Sequence, residues 1–115
     1  MKITVPEIPP SLNRFAGRLN SWEYRQEKAR WKQLVYLLCS KDRPKQPYER
    51  AVVSIAYYFP DARRRDPDNY AGKMILDGLT AAGIIQDDDF AHIRLVLAGE
   101  IDRENPRTEI EIKEV

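Results

Sequence analysis

The stretch AVVSIAYYFPDARRRDPDNYAGKMILDGLTAAGIIQDDD, Ala51 to Asp89, decides the fold, because it joins the strongest strand signal in the chain to a short amphipathic helix. Ala51 to Phe59 is rich in β-branched and aromatic residues, ends at Pro60, and is predicted to be a central strand. Asp66-Pro67-Asp68-Asn69 has the chemistry of a helix start. Aspartate caps well, proline suits the first helical position, and acid in the first turn complements the helix dipole. From Pro67 to Ala82 the apolar residues Ala71, Ile75, Leu79 and Ala82 recur at three- and four-residue spacing, which predicts a helix with one buried stripe. Asn69, Lys73, Asp77 and Thr80 form its polar stripe, and Gly83 supplies its stop.

Two carboxylate clusters bracket this helix, Asp66 with Asp68 before it and Asp87-Asp88-Asp89 after the apolar pair Ile84-Ile85. Three adjacent carboxylates repel one another, and nothing in a short strand edge requires them. A divalent cation accounts for them. Magnesium takes carboxylate oxygens, keeps several waters, and is typically held by one or two acids together with a substrate phosphate. The helix, folding back, is expected to bring Asp66 and Asp68 near Asp87 and Asp88. Lys73 on the same face would neutralise a phosphate oxygen or the charge that builds up in phosphodiester cleavage. Plain structural roles stay open to all of them: cap and dipole-matching acid for Asp66 and Asp68, solvated turn for Asp87 to Asp89, surface ion pair for Lys73 with Asp77. An EF-hand loop is excluded, since Tyr70 and Ala71 stand where it needs an oxygen ligand and glycine. The lone Asp-x-Asp is weak evidence for a nucleotide-sugar site, and the chain is too short for the usual domain of that class, so no nucleotide cofactor is expected.

Arg63 to Asp88, RRRDPDNYAGKMILDGLTAAGIIQDD, resembles the signature of the RusA-type Holliday-junction resolvases, small endonucleases of bacteria and their phages and prophages. A weaker echo, IPPSLNRF at Ile8 to Phe15, resembles the proline-rich Asn-Arg segment near the N-terminus of that family. The resemblance implies that Asp66, Asp68 and Asp88 are essential metal-binding aspartates, that Asp87 assists, and that Lys73 is the essential lysine. Pro67 and Gln86 depart from the aliphatic residues common at those places, without removing a ligand. Asp89 is an acid the pattern does not require. The implied activity is magnesium-dependent cleavage of four-way DNA junctions by paired symmetric nicks in recombination and repair, with manganese as a substitute metal and a homodimer as the working form. The alternative is a non-catalytic branched-DNA-binding protein, against which the intact Asp66, Asp68, Lys73 and Asp88 argue, because a binder gains affinity by losing acids that repel phosphate.

The net charge of +1 hides an asymmetry. Asn13 to Arg65 carries thirteen Lys and Arg against five acids, and Asp66 to Val115 carries five against twelve. The first half is therefore expected to meet the phosphate backbone; the resemblance places the Asn13-Arg14 loop near the active site, and Asn13, Arg14, Arg65, Asn69 and Lys73 are the candidate DNA contacts. Arg25, Lys28, Arg30 and Lys32 on the preceding helix either touch phosphates or solubilise it.

Lys2 to Val5 is predicted to be a strand stopped by prolines, Ser11 to Leu19 a loop, and Ser21 to about Ser40 a helix with Trp31, Leu34, Val35 and Leu38 on its apolar face. Lys41 to Pro47 is a basic turn. His92 to Ala98 and Thr108 to Val115 alternate as strands, with Gly99 to Pro106 as a hairpin-like connection. The order strand, helix, strand, helix, strand, strand predicts an α+β domain spanning residues 1–115, with a mixed or antiparallel sheet and helices on one face. Cys39 is expected in the core and His92 in a structural role, and one of each excludes a cysteine or multi-histidine zinc site. With neither a long apolar run nor a signal-peptide layout, the expected location is the cytoplasm, away from membranes.

Overall fold

The computed structural model describes residues 1–18 and 21–115. The end of the Ser11–Leu19 connection, at Leu19, lies outside the described residues. Four strands, β1 (Lys2–Val5), β2 (Ala51–Phe59), β3 (Ile93–Ile101) and β4 (Arg107–Glu114), form one sheet in the order β1-β4-β2-β3. Strand β4 runs antiparallel to both β1 and β2, while β2 and β3 are parallel and in register from Ala51↔Ile93 to Phe59↔Ile101. The fold is therefore α+β with a mixed sheet.

Helix α1 (Trp22–Cys39) follows β1 and helix α2 (Lys73–Ala81) joins β2 to β3. Ser21 caps α1, its hydroxyl accepting the Tyr24 N–H at 3.2 Å. Tyr24, Trp31, Val35 and Cys39 bury one stripe of α1 against the core, whereas Leu38 is 39% exposed and lies off that stripe. Each such fully buried apolar side chain stabilises the fold by about 1.5–3 kcal/mol. Along β2, Ala51, Val53, Ile55, Tyr57 and Phe59 are buried and the residues between them are half-buried, the alternation of a sheet covered on one face. Ile110 and Ile112 of β4 join the same core, while Glu109 and Glu111 face outward.

The helix expected from Pro67 to Ala82 is broken in two. Pro67–Tyr70 forms a 3-10 turn, Gly72 adopts a left-handed φ of +83°, and only then does α2 begin. The break follows from packing. Tyr70 turns back onto β2, edge-on to Tyr57 and Phe59 at 5.6 and 5.2 Å, and a straight helix could not make that contact. After the break, Met74, Ile75, Leu76 and Leu79 are buried, and Gly78 lets α2 approach Val35 of α1. The stretch Gly99 to Pro106 also differs from expectation. Strand β3 runs on to Ile101, and because β2 stands between β3 and β4, the connection is a crossing and not a hairpin. Its turn is closed by Asp102, whose carboxylate accepts the Glu104 and Asn105 N–H groups and the Arg107 guanidinium.

Candidate metal and nucleic-acid site

The first acid cluster sits where β2 has ended and the chain turns toward α2. Asp66 occupies the cap position of the 3-10 turn with extended backbone, yet its side chain makes no capping hydrogen bond. The carboxylate instead accepts from Arg64 Nε at 3.2 Å and is half-exposed. Asp68 is exposed and makes no hydrogen bond or ion pair among the described residues. Neither acid is used by the local structure that could have explained it. Asn69 donates its N–H to the Asp66 carbonyl at 3.0 Å, and its side chain lines a narrow cleft with Tyr70, Lys73, Pro9, Pro10 and Leu12.

Lys73 opens α2 and is half-exposed, with its ammonium 3.9 Å from Asp77. Asp77 also meets Lys28 of α1 at 3.4 Å, so one carboxylate ties both lysines and both helices. Lys28 and Arg30, candidates for phosphate contact, are thus engaged within the fold, Arg30 with Glu7 and Glu27. Asn13 and Arg14 lie on a 3-10 turn, Leu12–Phe15, beside the Lys73 cleft. The Arg14 guanidinium pairs with Glu23 and lies over Phe15.

Arg65 is placed differently from its neighbours. Its guanidinium lies 4.3 Å from the Phe59 ring centre, pairs with Asp61 at 2.9 Å, and donates to the Asp61 and Arg63 carbonyls. The side chain is only 17% exposed and clamps the segment that carries the acids. Arg63 is exposed, and Arg64, at 89%, projects into solvent. Its position beside Asp66 is not visible from a run of three identical residues. Between the clamp and the edge of the sheet, an open groove of about 280 Å³ is lined by Tyr57, Phe59, Asp66, Tyr70, Leu97 and Gly99. Burial pushes the Tyr57 hydroxyl above its ordinary range, and it has no partner among the described residues.

The second cluster lies just before β3. Asp87 accepts the Asp88 N–H at 2.8 Å, and Asp89 binds the His92 ring while its carbonyl accepts the His92 and Ile93 N–H groups at 3.1 Å. Asp89 and His92 thus close the turn into β3. That hydrogen bond lowers the Asp89 carboxyl below its usual range and raises the His92 imidazole above its own. Asp88 is half-buried.

Among the described residues, no converging group of three or more candidate ligands draws Asp66 or Asp68 together with Asp87 or Asp88. Among the described residues, the group of three or more candidate ligands that converge, within 4.8 Å, is Asp87, Asp89 and His92. The reason is topological. A parallel crossover must return the chain to the starting end of the sheet, so α2, about 14 Å long at 1.5 Å per residue, separates the residues after β2 from those before β3. Asp66 lies by Leu97 to Gly99 in the later half of β3, and Asp87 to Asp89 precede its first residue.

No helix among the described residues is long and apolar enough to cross a membrane. No curated protein matches the chain. The family described as endodeoxyribonuclease RusA matches residues 7–113, nearly the full length, and that span takes in both acid clusters, Lys73 and the Asn13-Arg14 turn. The chain belongs to the RusA family of endodeoxyribonucleases, enzymes that resolve Holliday junctions.

Proposed function

We propose that this chain is a magnesium-dependent endodeoxyribonuclease that resolves four-way DNA junctions by paired nicks, acting as a homodimer. The observation that carries the reading is the unspent chemistry of Asp66 and Asp68: one sits at a cap position without capping and the other has no partner among the described residues, beside an exposed Lys73. Hard oxygen donors of this kind fit a divalent ion such as magnesium, with manganese as a substitute. Asp66, Asp68 and Asp88 would hold it, with Asp87 assisting. The bound ion would supply Lewis acidity and an activated water. Lys73 would stabilise charge on the scissile phosphate, and Asn13, Arg14, Arg64 and Asn69 would position the DNA backbone. Arg65 would act by holding the acid-bearing segment.

The separation of the acid clusters supports the dimer. Each site would take Asp66, Asp68 and Lys73 from one copy and Asp87 and Asp88 from the other. A two-fold enzyme suits a junction that is itself two-fold in its open form, with one site for each strand to be cut. We further read residues 1–115 as one functional domain.

The test is cleavage of a mobile four-way junction beside a linear duplex of the same sequence, in magnesium or chelator, by the wild type and by Asp68→Asn. Metal-dependent symmetric nicks on the junction that fall by at least about a hundredfold in Asp68→Asn are expected. Tight junction binding without cutting under any divalent ion would instead leave a branched-DNA-binding protein, and undiminished cutting by Asp68→Asn would remove that residue from the site.

A further inference from the structure

Tyr57 places a hydroxyl where packing asks for none. Its companions on the inner face of β2, Ala51, Val53, Ile55 and Phe59, are all apolar and buried, and phenylalanine would fill the same space at position 57. The residue is 2% exposed, and its oxygen has no hydrogen-bond partner among the described residues. A hydroxyl withheld from water and left unbonded destabilises a fold, so a chain that keeps one calls for a use or a bound partner.

The ring fixes where that hydroxyl lies. Tyr57 stacks on Phe59 at 5.9 Å and meets Tyr70 edge-on at 5.6 Å, which leaves its ring one orientation. Its oxygen reaches the turn before Lys73, since a Cβ built on Gly72 would stand 3.6 Å from it. Glycine there leaves the hydroxyl uncovered on that side, at the narrow cleft that Asn69, Lys73, Pro9 and Pro10 also line. The cleft holds about 10 Å³, close to the least that admits a single water, and a water needs several polar partners besides room. Tyr57, Asn69 and Lys73 supply a hydroxyl, an amide and an ammonium. Lys73 has no other firm anchor among the described residues: Asp77, at 3.9 Å, is beyond hydrogen-bond length and is also shared with Lys28.

We propose that the floor of this cleft binds one water and that Tyr57 is, through it, a positioning residue for Lys73. The water accepts from the Tyr57 hydroxyl and from one N–H of the Lys73 ammonium, and donates to the Asn69 side-chain carbonyl. A lysine is a point charge on a flexible stem, and one such bond aims it while leaving its other N–H donors for a phosphate oxygen. The proposal rests on the nuclease reading above and deepens it by naming what orients the lysine. It also gives Gly72 a second task, because any side chain there would crowd the hydroxyl that the water meets.

The experiment compares wild type, Tyr57→Phe, Lys73→Gln and the double variant, with Tyr58→Phe, on the other face of β2, as control and circular dichroism to establish folding. Two quantities are read: kcat and KM for cleavage of a four-way junction in magnesium, and the Nζ resonance of Lys73 in protein carrying ¹⁵N-lysine, assigned by its loss in Lys73→Gln. Tyr57→Phe is expected to lower kcat by roughly five- to tenfold at unchanged KM, the effect of one lost hydrogen bond. It is expected to move the Lys73 resonance, which Tyr58→Phe leaves in place, and to cost nothing further in the Lys73→Gln background. A loss of kcat that recurs in that background, a rise in KM alone, which would put the hydroxyl on the substrate phosphate, or a Lys73 resonance indifferent to Tyr57→Phe overturns the proposal. The two readouts separate the two claims. A wild type that never cuts while its Lys73 resonance answers to Tyr57→Phe defeats the nuclease reading alone, and a cutting enzyme whose lysine ignores Tyr57 defeats this one alone.

Discussion

Gly72 is the hinge between the Asp66–Asp68 segment and Lys73, and Gly72→Ala should cost more than any other single methyl added to this chain's glycine turns. Two terms add. The left-handed φ of +83° costs an alanine about 1–2 kcal/mol. A Cβ there would also lie 2.6 Å from Ile55 Cδ1, and Ile55 is 1% exposed, so its methyl has little room to retreat. Overpacking of this kind costs about 1–3 kcal/mol, for a total of roughly 2–5 kcal/mol. That is a large share of the roughly 5–15 kcal/mol that holds a domain together. The chain contains its own control. Gly83 has φ of +76° with nothing within 4 Å of an added Cβ, so Gly83→Ala isolates the backbone term of about 1–2 kcal/mol. Urea unfolding followed by circular dichroism, on both variants and in an Ile55→Val background, separates the terms. Ile55→Val costs about 0.5–1.5 kcal/mol in the wild type and should cost less, or stabilise, in the Gly72→Ala background, where the added methyl crowds the one that valine lacks. Equal losses in Gly72→Ala and Gly83→Ala, with Ile55→Val costing the same in both backgrounds, would refute the reasoning. If it holds, junction cleavage by the folded Gly72→Ala, Ile55→Val protein should still fall, since the turn that aims Lys73 has been altered.

Arg64 and Arg65 should separate cleanly despite being neighbours. Arg65→Ala and Arg65→Lys should each destabilise by about 1–2 kcal/mol in urea unfolding, because lysine keeps the charge but not the planar group on Phe59. Arg64→Ala should leave stability unchanged while lowering the slope of log affinity against log salt for junction DNA by about one. Cys39, whose thiol burial pushes up to about 11, should resist thiol reagents at pH 8 until urea unfolds the chain. Because the unfolded thiol ionises first, near its ordinary value of about 8.5, stability should be intact below that pH and should fall as pH rises through the interval toward the folded value, a change that urea midpoints at pH 8 and pH 10 measure.

Much of the fold is legible in local sequence chemistry. The bounds of β2 follow from a β-branched and aromatic run closed by proline, and those of α1 from a serine cap and its buried Trp31 and Val35. The Pro67–Ala82 segment is where local rules mislead. Its apolar period, its capping residues and its proline all favour one helix, and the tertiary contact of Tyr70 with Tyr57 and Phe59 overrides them. The glycine at position 72 is the residue that allows the override, yet a single glycine within a helical pattern carries no sign of which contact it serves. Edge status is equally hidden. The alternation of β4 announces one wet face, whereas β3 is apolar in pattern and exposed in fact, because no strand among the described residues covers its edge.

The candidate site shows why spacing along the chain is a poor guide to spacing in the fold. Asp68 and Asp88 are separated by one short helix, and a helix that doubles back is the natural way to join them. In a β-α-β crossover that helix has another task, to carry the chain from one end of the parallel pair to the other. The length that lets α2 span the sheet also separates the residues after β2 from those before β3. An antiparallel neighbour reverses the geometry, because its starting end lies against the finishing end of the first strand. In the proposed dimer, carboxylates that precede and follow the crossover would serve one another only when two copies meet. On the proposed reading, a variant that stays monomeric should lose metal-dependent cutting with every acid intact, which junction cleavage and sedimentation on the same samples would test.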